Sequence, residues 1–150
     1  MDFNDFNTVE AANRGSWLHI KSPYDGEPLY LPKTLDDGST VNDLTKPCRV
    51  KVLGAEGHIA QEMVNEERRK MKGEDKPDPQ ATIRDQAARL LVGFENINNG
   101  DRPAKAPDDN KWFCSLQKTL VVSGVHPSFA EQIRTYSMTR MHDLGNVQGG

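Results

Sequence analysis

His58 and Glu62 stand four residues apart in a stretch with helical spacing, so an imidazole and a carboxylate share one helix face, as metal ligands do. Two ligands do not make a site. His19, His126 and His142 fall on other segments, and the chain has neither a His-Glu-x-x-His nor a Cys-x-x-Cys, so the histidines read as ordinary surface residues. Lys33-Thr34 and Lys118-Thr119 could end a phosphate-binding loop, but Pro32 and Gln117 precede them and no glycine-rich run leads in. Asp36-Asp37 and Asp108-Asp109 are paired carboxylates in turn and helix-start contexts. They read as backbone hydrogen-bonding residues rather than an acid/base pair. Cys48 and Cys114 are isolated, which fits reduced, partly buried thiols and not a disulfide framework. No Gly-x-Ser-x-Gly elbow occurs. The residues assign no catalytic, cofactor-binding or metal site, and the expectation is a protein that is not an enzyme.

A different residue set suits recognition: Trp17, Tyr30, Arg49 and Lys51. Each lies in a stretch that alternates apolar and polar residues, the period of a half-buried strand. Leu18 and Ile20 alternate with Trp17, His19 and Lys21. Leu29 and Leu31 flank Tyr30, and Val50 and Val52 alternate with Arg49 and Lys51. Asp25-Gly26 between the first two runs is a turn signal, since glycine takes positive φ without a Cβ clash. The spacing predicts a hairpin over 16–32 and a third antiparallel strand over 48–53. One face would carry the aliphatic residues, and the other Trp17, His19, Lys21, Tyr30, Arg49 and Lys51. That second face is either a solvated surface with one cross-strand aromatic pair or a docking surface, because Trp, Tyr and Arg are favoured where proteins meet. Residues 33–47, which contain Asp, Gly and Pro, are expected to be an inserted loop.

Helices must cover the aliphatic face. Asp78 and Pro79 open the best-marked one, predicted over 79–97, with Ile83, Ala87, Leu90, Leu91 and Phe94 along one stripe. A capping residue contributes about 1 kcal/mol and each large buried side chain roughly 1.5–3 kcal/mol, so packing decides whether this helix forms. Ile59, Ala60, Met63, Val64 and Met71 give a helix over 55–71. Trp112, Phe113, Leu116, Leu120 and Val121 give one over 109–123, capped by Asp108 or Asp109. Phe129, Ile133 and Tyr136 give one over 127–144, started by Pro127. Residues 1–15 fit a short helix ended by Gly15 or a flexible arm. Residues 145–150 read as a flexible tail. The expected architecture is one α+β domain over 1–150: a three-stranded antiparallel sheet packed on about four helices.

Composition bounds the partners. The 150 residues carry 22 acidic and 19 basic side chains, a net charge of -3, and 35% are hydrophobic. Mean hydropathy is -0.72, so much of the chain is loop or polar surface. An acidic balance argues against binding a nucleic-acid backbone, which wants a basic face. No apolar run approaches the ~20 residues of a membrane span, and the acidic N-terminus lacks a signal pattern, so the chain is expected to be cytoplasmic where it is made.

Several segments, taken in order, resemble the tail assembly chaperones of long-tailed (siphophage-like) bacteriophages and related prophage elements. Thr8 to Gly15 is similar to their opening helix ending in Asn-x-Gly, and Pro23 to Leu29 to their hairpin turn. Val52-Leu53-Gly54 is similar to the strand end before the first helix. Gly93-Phe94-Glu95-Asn96-Ile97 resembles a Gly-Trp-x-x-Ile, with Phe94 replacing the usual Trp. Pro127 to Ile133 is similar to the start of the last helix. The stretch from Pro32 to Pro47 is inserted relative to the family. The resemblance implies a non-enzymatic protein in the host cytoplasm that binds the tape measure protein, keeps it soluble, brings tail tube subunits to it and is absent from the mature virion. It leaves a homo-oligomer open. Small size, an acidic balance and the lack of a site also fit a structural virion component, such as a head-tail connector, head-completion or tail-terminator protein. On either reading Trp17, Tyr30, Arg49 and Lys51 are the candidate contact residues.

Overall fold

A computed structural model describes residues 3, 7–71, 78–117 and 126–139. Helix α1 (Thr8–Arg14) is capped by Asn7, whose side chain accepts from the Glu10 amide, and it buries Ala11 and Ala12 completely. Gly15 ends it with φ 78°, and a Cβ there would lie 2.9 Å from the Val52 carbonyl oxygen. Only glycine lets α1 run this close to the sheet. Asn13 Oδ1 accepts from the His58 amide at 2.9 Å, so α1 also caps helix α2 (His58–Met71).

The protein has both helices and antiparallel sheets, as an α+β class requires, but the central sheet is assembled differently from the sequence expectation. Strand β1 (Ser16–His19) does not pair along its length with the chain that follows its turn. Its ladder partner is β4 (Arg49–Val52), and β4 pairs in turn with β5 (Leu91–Glu95), all antiparallel. The turn over Ser22–Glu27 does form and closes on a single Lys21–Pro28 bridge. Beyond it the chain leaves the central sheet. Strands β2 (Tyr30–Thr34) and β3 (Thr40–Pro47) make a separate two-stranded hairpin where an inserted loop over 33–47 was expected. Gly38, at φ 85°, allows the tight turn between them. At the junction three backbone bonds form a ring: Ile20 N–H to the Cys48 carbonyl, Cys48 N–H to Leu29, and Leu29 N–H to Ile20, at 2.9–3.1 Å.

The third strand comes from the stretch expected to finish the 79–97 helix. Helix α3 (Pro79–Leu90) starts as expected, with Asp78 accepting from the Gln80 amide, but stops at Leu90. Strand β5 satisfies its backbone on the edge of β4, and Val92 and Gly93 are poor helix formers. Asn110 takes up the carbonyls this switch releases, donating to Ala88 at 2.9 Å and Leu91 at 2.7 Å.

Asn98–Asn99 (β6) and Arg102–Pro103 (β7) form a minimal hairpin leading to helix α4 (Asn110–Cys114), far shorter than 109–123. Leu116 is exposed rather than on a buried stripe, and Leu120 and Val121 lie outside the described residues. Asp109 occupies the position before α4 but makes no cap bond, because its carboxylate turns to Arg102. Helix α5 (Phe129–Met138) opens on a Ser128–Glu131 capping box, with Pro127 standing before the cap. The rest of the 127–144 expectation and the 145–150 tail lie outside the described residues. The core between sheet and helices holds Ile20, Val50, Val52, Met63, Leu90, Leu91 and Ile133. Phe113 sits between Phe129, stacked at 4.8 Å, and Phe94, edge-on at 5.4 Å. Leu18, Leu29 and Leu31 pack partly buried against it, so the aliphatic strand face points inward as the alternation requires.

Candidate recognition face on the central sheet

The outward face of the central sheet is built in two cross-strand rows. Trp17, Lys51 and Gly93 lie side by side, and His19, Arg49 and Glu95 form the next row. Lacking a side chain, Gly93 leaves room for the Trp17 indole to lie across the strands. A Cβ at Gly93 would lie 3.1 Å from Lys51 Cβ and 3.3 Å from the far edge of that ring. The Arg49 guanidinium stands 5.4 Å from the Trp17 ring centroid, within cation–π range, and its Nε donates to Glu95 Oε2 at 3.1 Å. His19 Nε2–H donates to the Leu29 carbonyl at 2.7 Å, and its ring meets Tyr30 edge-on at 4.8 Å.

Trp17, Arg49 and Lys51 are therefore brought together, and Tyr30 joins their rim through His19. Glu95 and Gly93 belong to the same surface, although their spacing pointed to a helix and no local signal marks them as its members. The arrangement leaves specific groups available. Trp17 is 39% exposed, and among the described residues no carboxylate pairs with Lys21 or Lys51. Rigid aromatic area beside unneutralised cations can cover an apolar or mixed apolar–acidic surface on another molecule.

Helix α5 guards the outer edge of this sheet. Tyr136 O–H donates to the Trp17 carbonyl at 3.2 Å. Gln132 clamps Lys21 twice, accepting from its amide and donating to its carbonyl, both at 2.8 Å. A covered edge keeps β1 from recruiting a foreign strand.

The titratable groups elsewhere have structural roles. Asp109, buried, accepts from Arg102 Nη1 and Nη2 at 2.9 and 2.7 Å, the Lys105 amide at 2.7 Å and Asn99 at 3.0 Å. These donors, Arg102 foremost, hold its carboxyl well below the usual range. Burial pushes the Cys114 thiol up to about 12 and raises Cys48, so neither is a ready nucleophile. Among the described residues no group of three or more His, Cys, Asp or Glu is placed to hold a metal ion, His58 and Glu62 included. A cleft of about 200 Å³ between α2 and α3 is bordered by Glu66, Glu67, Asp78, Asp85 and Arg89, with Arg89 bonded to Glu66 at 2.6 Å. Among the described residues no helix is long and apolar enough to cross a membrane. No protein-family model, curated protein or solved structure matches the chain.

Proposed function

We propose that this chain is a non-enzymatic tail assembly chaperone of a long-tailed bacteriophage or prophage. It binds the tape measure protein in the host cytoplasm, keeps it soluble and helps recruit tail tube subunits, then leaves before the virion is complete. The observation that carries the reading is the flat Trp17 indole between Arg49 and Lys51 on the outward sheet face. It supplies a preformed apolar plate with a cationic margin, on which the apolar stripe of an amphipathic helix can lie. The ordered resemblance from Thr8 to Ile133 supplies the partner.

Co-expression with the tape measure protein of the same gene cluster tests it. The expected result is a rise in soluble tape measure protein and co-purification of the two. Trp17→Ala with Tyr30→Ala should weaken that association tenfold or more, on the order of 1.4 kcal/mol, while the far-ultraviolet helical signal stays unchanged. If neither protein alters the other's solubility, the chaperone role is wrong.

The second reading, a structural virion component, is favoured by one observation: the β2–β3 hairpin stands off the body, with residues 32–42 and 44–46 exposed. Elements of that kind join subunits in rings and shells. Purified particles discriminate, because a connector is present in fixed number and a chaperone is not.

A further inference from the structure

The β2–β3 hairpin is a stable-looking element without the packing that normally stabilises one. Two strands alone are marginal in water and need a third strand or a packed face. Here Leu35, Val41 and Leu44 are 42%, 39% and 72% exposed, and the two strands pair essentially with each other. Between Asn42 and Pro47 the ladder breaks, and Asp43 accepts from the Thr45 amide at 3.1 Å, fixing the bulge that displays Leu44. With Pro32 opposite, that bulge makes further strand addition unfavourable, so the arm offers its side chains rather than its edge.

We propose that this arm docks on the outward sheet face of a second copy of the chain, giving a twofold dimer with two equivalent arm-to-face contacts. Charge complementarity names the occupant. The arm tip carries Asp36 and Asp37 with no cation between Leu35 and Asn42, whereas the face carries Lys21 and Lys51 without carboxylate partners among the described residues. The exposed aliphatic residues Leu35 and Val41 flank that acidic tip, as Trp17 flanks Lys51 on the face. The arm does not cover its own face: it leaves the body at Tyr30, whose ring packs on His19 at the rim, and along a first strand about 16 Å long and back residues 32–42 and 44–46 stay exposed. Exchange between two copies places each arm on the other's face, the self-complementary geometry of a closed dimer. The arm takes the same face that the proposed tape measure contact uses, so dimerisation and that contact compete.

Sedimentation velocity across a concentration series tests this on the full chain. The wild type should sediment as a dimer that dissociates as salt rises. Asp36→Lys with Asp37→Lys, or Lys21→Glu with Lys51→Glu, should each weaken dimerisation tenfold or more. All four changes in one chain should restore it, because each contact contains one tip and one face. A monomer at every concentration, a dimer indifferent to both charge reversals, or a quadruple variant that stays monomeric would each overturn the proposal. Surface charge changes leave the core intact, and thermal unfolding of each variant verifies this.

Discussion

Gly93 shows how one missing side chain sets a surface. Replacing it with Val puts branched carbon where the Trp17 ring now lies, so the indole must lift off the sheet and lose Arg49 from its face. Gly93→Val should cost roughly 1–3 kcal/mol in chemical denaturation. It should also shift tryptophan emission to longer wavelength as Trp17 gains water. Asp109 makes a comparable point with charge. Its native pKa lies below the unfolded value of about 3.9, so its contribution to stability is fully present above that value. The contribution disappears as pH falls through the depressed native pKa. In urea titrations from neutral pH to about pH 2 the advantage of wild type over Asp109→Asn should be constant down to about pH 4 and then shrink. An advantage that does not change with pH would mean that Arg102, Asn99 and the Lys105 amide do not favour the ionised form.

Among the elements, α5 and the arm behave oppositely. Helix α5 fastens distant pieces of chain: Ser137 Oγ donates to the Leu53 carbonyl at 2.6 Å, Gln132 holds Lys21, and Ile133 is completely buried. The arm is held at its base by Tyr30, Leu31 and Pro47, and among the described residues the hydrogen bonds of its outer part, residues 32–46, stay within the arm. Replacing Lys33–Lys46 by a two-residue Asn-Gly turn should therefore change the unfolding free energy of the monomer by less than about 1 kcal/mol, since closing a shorter loop offsets the few lost contacts. The same excision should abolish dimerisation in the ultracentrifuge. A large loss of monomer stability would instead place the arm in the folding core.

Across the whole molecule, legibility followed how local each determinant was. Ile20, Val50 and Val52 were readable as core because strand alternation is encoded within a few residues, and Asp78-Pro79 marked a helix start for the same reason. Leu91 and Phe94 were readable as inward-facing but not as strand. At helical spacing they extend the α3 stripe, and only the open edge of β4, some forty residues earlier in the chain, turns them into β5. Asp36-Asp37 was legible as a turn but not as the turn of a hairpin: the polar flanks Lys33-Thr34 and Ser39-Thr40 hid the strands because this arm has no buried side to pattern. Of the recognition face, Trp17, Arg49 and Lys51 were accessible from alternation, whereas Glu95 and Gly93 depended on that same long-range pairing. The covered edge of β1 has a consequence for biosynthesis. Trp17 emerges from the ribosome early, its strand partner Lys51 later, Gly93 later still, and Tyr136, which seals the edge, more than a hundred residues behind. Until then the nascent sheet carries an open border, so slowing translation between Gly93 and Tyr136 prolongs its exposure to aggregation.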